Sequence, residues 1–213
     1  MKTSIYKGIM TVIFSLTFIL LSAQAPILII DLDGNNNSAP AMAASFNNLA
    51  AEYDLTTTIP TDLSQYEGVF ICLGIFSNNY VLSANDATIF VNYLNNGGSI
   101  YMEGGDTWFY DQTTALHPMF NINGIEDGTS DLSILAGQSG TLTEGMSFPY
   151  TGDNNWIDHI SAIAPAVTIF NNQTPSYGAA VAYDAGTYKT IGASFEFGGL
   201  QDGSSPSTRD ELM

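Results

Sequence analysis

Apolar residues arrive in short unbroken runs that alternate with helical spacing, and this pattern outlines an α/β fold. Ile27-Leu28-Ile29-Ile30 runs straight into Asp31, Leu32, Asp33 and Gly34. A strand covered on both faces of a parallel sheet reads this way, because neither face is turned to water. The run predicts a first strand over Ile27 to Leu32. Pro40 then stands where a helix begins without losing a hydrogen bond, and Met42, Phe46, Leu49, Ala50 and Tyr53 fall on one face at helical spacing. A second strand is expected near Leu55 to Ile59 and a third, fully covered, over Gly68 to Leu73.

The second helix carries the clearest punctuation. Ser83 is placed to cap it, Asp86 takes the third helical position, and Ile89, Phe90, Tyr93 and Leu94 form its apolar face. Asn95-Asn96-Gly97-Gly98 ends it, since glycine adopts the left-handed conformation that closes a helix. Ser99 to Glu103 predicts a fourth strand, which completes β-α-β-β-α-β before residue 104. With right-handed crossovers, this order implies a doubly wound, flavodoxin-like, mostly parallel sheet. Beyond Trp108 the texture becomes β-rich: Leu132 to Leu135, Ile160 to Ile163, Ala166 to Phe170, Ala179 to Tyr183 and Thr190 to Phe197 are expected as edge strands of an elaborated second half. The chain is read as one α/β domain over residues 26–213. Ser207 is positioned to cap a last helix that stops after about a turn. That brevity predicts a longer polypeptide with further domains.

Residues 1–25 have the layout of a signal peptide. Lys2 and Lys7 precede an uncharged apolar run from Ile9 to Leu21, and small residues at Ala23 and Ala25 suit cleavage after either. The run is too short for a mature membrane span and no basic stop-transfer cluster follows it, so no membrane insertion is expected after cleavage. The mature chain is then expected outside the inner membrane, secreted or at the cell surface. It retains Lys189 and Arg209 against 21 acidic groups, a formal charge of 2 − 21 = −19. Such a surface repels phosphate backbones and anionic lipid, so nucleic acid is excluded as a partner. A cation, a carbohydrate or a basic protein partner stays open, as does plain solubility. Cys72 is the sole cysteine, so no intramolecular disulfide forms and a hydrophobic core must hold the domain.

In open α/β sheets ligands collect beyond the carboxyl ends of the strands. Asp31, Asp33 and Asn35 follow the first strand, and Glu103, Asp106, Trp108 and Asp111 follow the fourth; these seven residues are the candidate binding rim. Asp31, Asp33 and Asp106 are the candidate metal ligands, for calcium or magnesium, although nothing requires a cofactor. The two segments resemble signatures of the haloacid-dehalogenase-like phosphatases, an apolar strand into D-x-D-G and a later one into G-D-x-x-x-x-D. That resemblance implies Asp31 as nucleophile, Asp33 as acid/base, and Asp106 with Asp111 on Mg²⁺. The departures are large. No Lys or Arg stands between residues 26 and 188, and Asn35 replaces the expected Thr. An all-carboxylate pocket repels a phosphate. The run Asp31 to Asn37 also offers alternating oxygens for calcium, but EF-hand spacing fails, and a solvated strand-to-helix turn accounts for it. Cys72 lies inside a strand and is expected to be an inert buried thiol. His117 and His159 have no metal-ligand spacing. Trp108, Phe109 and Tyr110 can line a pocket or cap the sheet.

From Pro26 to about Asp111 the chain resembles the class I glutamine amidotransferase-like superfamily, especially its trehalose-utilisation-like branch. Ile27 to Asp31, Leu63 to Ile71, the helix from Leu82 to Leu94 and Asn96 to Tyr101 carry the resemblance. The string Tyr93 to Asp106 and the late Phe195-Glu196-Phe197-Gly198-Gly199-Leu200 are similar to non-catalytic modules of Bacteroidetes secreted proteins with type IX secretion sorting domains. In the amidotransferases the catalytic cysteine would sit in the turn after the fourth strand; here that turn holds Gly104 and Gly105. No catalytic residue is carried over. The expected function is a non-enzymatic accessory or ligand-binding module of a larger exported protein, with a Mg²⁺-dependent hydrolase on Asp31 and Asp33 as the alternative.

Overall fold

The computed structural model describes residues 26–213. The expected signal peptide, residues 1–25, lies outside the described residues. In chain order the elements are β1 (Ile27–Asp31), α1 (Ser38–Asn48), β2 (Tyr53–Thr56), β3 (Gly68–Cys72), α2 (Ala84–Asn95), β4 (Ser99–Glu103), β5 (Ile122–Glu126), β6 (Ile134–Gly137), β7 (Ser147–Pro149), β8 (His159–Ala162), β9 (Val167–Asn172), β10 (Tyr177–Asp184), β11 (Lys189–Ala193) and α3 (Arg209–Leu212). The fold is α/β-like, a mixed sheet of eleven strands with few helices, running β2-β1-β3-β4-β11-β10-β9-β6-β7, while β5 pairs β8 and β8 pairs β10.

The first half follows its apolar pattern closely. β1 pairs in parallel with β2 and β3, and β4 with β3 and β11. Alternation along each strand feeds two cores. Ile29, Phe70 and Tyr101 pack with Met42 and Phe46 of α1, whereas Leu28, Ile30, Val69, Ile71, Ile100 and Met102 pack with Phe90 and Leu94 of α2. The α2 terminus is built as its sequence requires. Ser83 accepts from the Asp86 N–H at 3.2 Å, and the Asp86 carboxylate accepts from the Ser83 N–H at 2.9 Å, so two of the helix's orphan donors are satisfied reciprocally. Gly97 follows at φ +94°.

Several expectations are corrected. The sheet is not mostly parallel: among the described residues, four strand pairings are parallel and six antiparallel. The late strands are not edge additions either. β11 inserts beside β4 at the middle of the sheet and β10 follows it, because the turn at Gly186 folds them into a hairpin whose residues Val181, Ala193 and Ala180 are buried. Helix α1 starts two residues before Pro40 and stops at Asn48, so Tyr53 opens β2 rather than extending the helix face. Pro40 is tolerated because first-turn N–H groups have no intrahelical acceptor. β2 ends at Thr56, short of Ile59. Thr208, not Ser207, caps α3, accepting from the Glu211 N–H at 3.2 Å. Strands β5 and β7 went unforeseen: β5 contains Asn123-Gly124 and β7 spans three residues. Among the described residues no helix is long and apolar enough to cross a membrane.

Candidate functional site

Register brings the first carboxylates together. Asp31 lies opposite Cys72, Cys72 opposite Glu103, and Glu103 opposite Ala193 across four parallel strands. In-register neighbours of a parallel sheet point to the same face, so Asp31, Cys72 and Glu103 share the face that carries α1. Glu103 is fully buried; its Oε2 accepts from Tyr101 Oη at 2.6 Å and from the Phe197 N–H at 2.8 Å. Burial pushes its pKa up to about 8, with those two bonds opposing the shift.

The segment after β11 supplies a partner that sequence reading missed. Glu196 is fully buried and receives Asn35 Nδ2 at 3.1 Å and Asn37 Nδ2 at 2.8 Å on separate oxygens. Asn35 Nδ2 also donates to Asp153 Oδ2 at 2.7 Å. Burial pushes Glu196 up to about 7; the Asn37 bond opposes this and the nearby Asp33 charge adds to it. Asp33 is tied into its own loop, where Oδ1 accepts from the Asn35 N–H at 2.9 Å and Oδ2 from the Asn37 N–H at 3.2 Å. The strand-to-helix turn reading therefore stands in outline, but the turn is packed rather than solvated, with Asp31 and Asp33 both buried. Burial raises the Asp31 pKa, and the Asp33 charge raises it further. The signal for Glu196 was present as an acid flanked by Phe195 and Phe197, a setting that buries a side chain; Asp153 had no such mark.

The other half of the expected rim separates from this network. Asp106 groups with Asp127 and Asp158 rather than with Asp31 and Asp33. Burial pushes Asp106 up to about 7, with Asp111 and Asp127 adding to it, and Asp111 itself rises to about 6 through burial. Trp108 is not a rim residue: its ring is buried against Phe120, and its Nε1 donates to the Ala193 carbonyl at 2.9 Å. The exposed aromatics beside it are Phe109 and Tyr110. His117 is a core histidine whose Nε2 donates to the Thr107 carbonyl at 2.9 Å while Nδ1 accepts from the Thr114 N–H at 2.9 Å. His159 stacks on Tyr177 and bonds Glu126.

Nucleophile and cation are both missing from this geometry. Cys72 is wholly buried against Met42, and burial, reinforced by Glu103 and Asp31, holds its pKa well above the ordinary thiol value. Among the described residues Lys189 pairs with Asp184 at 3.6 Å and Arg209 with Asp202 at 3.1 Å, both away from the carboxylates. The turn after β4 is closely packed. A Cβ on Gly104 would stand 3.0 Å from Leu73 Cβ, and one on Gly105 2.9 Å from Ile75 Cδ1. A cavity of about 420 Å³ is mostly apolar, is lined by residues such as Phe70, Phe170 and Ile191, and holds none of the clustered carboxylates.

No protein-family model matches the chain, and no curated protein matches it significantly in sequence. Solved structures do match. A glutamine amidotransferase from Thermotoga maritima is similar at 9% identity and TM-score 0.55, over 83% of this chain and 77% of that one. The mmIFT52 N-terminal domain is similar at 12% identity and TM-score 0.54, over 79% and 84%. A cold-adapted β-galactosidase from Rahnella sp. R3 is similar at 15% identity and TM-score 0.54, over 84% of this chain but 29% of the enzyme, so this chain spans less than a third of that protein. At such identities the likeness is one of fold alone, and one of the structures that share it is a glutamine amidotransferase.

Proposed function

We propose that the domain is a non-enzymatic accessory or ligand-binding module of a longer exported protein. Its β2-β1-β3-β4 half is read as a flavodoxin-like, doubly wound unit. The observation that carries the proposal is the turn after β4, where the amidotransferase-like resemblance calls for a nucleophile and the chain has Gly104 and Gly105 packed against Leu73 and Ile75. A carboxylate network with no basic side chain attracts cations and leaves an anionic substrate unsupported. A divalent cation or a carbohydrate is the ligand class to screen first, and a protein partner stays open. The rival reading, a Mg²⁺-dependent hydrolase, requires Asp33 to leave the two backbone N–H groups that hold it.

The test combines turnover with thiol chemistry. Purified protein is incubated with p-nitrophenyl phosphate and Mg²⁺, and separately with glutamine; no product above buffer is expected. Cys72 is expected to react with a disulfide reagent after unfolding in denaturant and not before. Phosphatase turnover that vanishes in Asp31→Asn, or a thiol that titrates rapidly in the native protein, would overturn the proposal.

A further inference from the structure

Away from the Asp31–Glu196 network, three carboxylates converge from segments that are distant in sequence. Asp106 leaves the turn after β4, Asp127 follows β5, and Asp158 precedes β8; one oxygen from each lies within 4.8 Å of the others. Asp158 is 0% exposed and Asp106 3%. The Oδ1 atoms of Asp106, Asp127 and Asp158 are all buried without a hydrogen-bond partner. The second oxygen of Asp158 is fully used, accepting from the Trp108 N–H at 2.9 Å and the Phe109 N–H at 2.7 Å. Its own N–H donates to the Gly105 carbonyl at 2.8 Å. Backbone bonds therefore hold one oxygen of Asp158 and leave the other without a partner, in a carboxylate that converges with those of Asp106 and Asp127.

Three desolvated carboxylate oxygens with no donor between them are strongly unfavourable, and folded proteins answer such an arrangement with a proton or a cation. Among the described residues His159 lies near enough to offset part of the burial that raises the Asp127 pKa, and no lysine or arginine joins the three. Among the described residues Lys189 and Arg209 are paired elsewhere, and His159 turns its nitrogens to Glu126 and Asp131.

We propose that Asp106, Asp127 and Asp158 form a calcium site. All three donors are hard oxygens, with no nitrogen or sulfur to favour a transition metal. Two ligands of one ion stand apart by at most twice the metal–oxygen distance, roughly 4.6–5.2 Å for Ca²⁺ and about 4.2 Å for Mg²⁺. The three oxygens lie within 4.8 Å of one another, a span that one calcium ion bridges, and three converging carboxylates suit Ca²⁺ better than Mg²⁺, which keeps several waters and takes one or two carboxylates. Calcium takes about 6–8 oxygens, so positions remain beyond the three carboxylates. They open on a cavity of about 230 Å³ lined by Asp106 and Asp127 together with the exposed rings of Phe76, Tyr110 and Trp156, where solvent or an oxygen-bearing ligand completes the shell. The site stands independently of whether the turn after β4 supports catalysis.

The full chain, purified with a chelator and dialysed, is titrated with CaCl₂ and MgCl₂ by calorimetry, and its Tm is recorded alongside. Saturable calcium binding is expected with Kd on the order of 0.1–1 mM, the range of extracellular calcium modules. The Tm should rise by about 3–5 °C at tenfold excess over Kd. Asp127→Asn, at the least buried ligand, should weaken binding by at least about tenfold through the lost charge. Asp158→Asn should do the same while keeping an acceptor for Trp108 and Phe109. The Tm of each variant without calcium reports whether it is folded, and Asp54→Asn, at an exposed acid outside both carboxylate clusters, should bind as the parent does. No heat and no Tm shift at about 10 mM calcium would sink the proposal. Binding that survives both ligand substitutions, is lost in Asp54→Asn, or is tighter for Mg²⁺ than for Ca²⁺ would sink it equally.

Discussion

Replacing Glu103 by Gln should make the protein more stable at neutral pH and leave it unchanged in acid. Glu103 is fully buried on β4, and its pKa rises from 4.5 to about 8, chiefly through burial. An acid whose folded pKa is raised holds its proton more tightly in the native state. As pH climbs above 4.5 the unfolded chain therefore ionises first, and stability falls until the native group ionises near 8. Each pH unit in that window removes about 1.4 kcal/mol, so wild type has lost about 3 kcal/mol at pH 7 relative to acid. Glutamine has no such equilibrium, and its carbonyl still accepts from Tyr101 Oη and the Phe197 N–H, which share one carboxylate oxygen. Urea unfolding of both proteins at a series of pH values from 5 to 8 measures the difference. The variant's advantage should be under about 1 kcal/mol at pH 5, grow steadily, and level off near the folded pKa. An advantage that does not vary with pH, or a variant less stable than wild type at pH 7, would refute the assignment of Glu103 as a neutral buried acid.

Two stability predictions rest on local structure. Ser83→Ala removes one half of the α2 capping box and should cost about 1 kcal/mol in urea unfolding, with Asp86→Ala removing the reciprocal bond from Ser83 N–H. Phe90→Ala empties a fully buried site between α2 and the sheet. It should cost about 3–5 kcal/mol and lower the calorimetric Tm accordingly.

Short-range physics settled much of the first half from sequence alone. Continuous apolar runs marked β1 and β3 because strands covered on both faces have few polar positions, and β4 lies at Ser99–Glu103 as expected. The capping box and Gly97 bracketed α2 because caps act within a turn of the helix end. Asp31 and Glu103 end parallel strands of the mixed sheet, β1 and β4, with β3 between them, and strand order alone places such ends along one edge. Pairing between distant strands belonged to the tertiary structure. Nothing local in Lys189–Ala193 says that it lies parallel to β4 in the sheet centre, or that its continuation carries Glu196 to Asn35 and Asn37. Asp127 and Asp158 likewise reach Asp106 through the β5–β8 pairing and a backbone bond to Gly105. Side-chain spacing reports which face a residue takes, whereas the company a buried carboxylate keeps depends on which strands share a ladder, and that choice is made by the whole core at once.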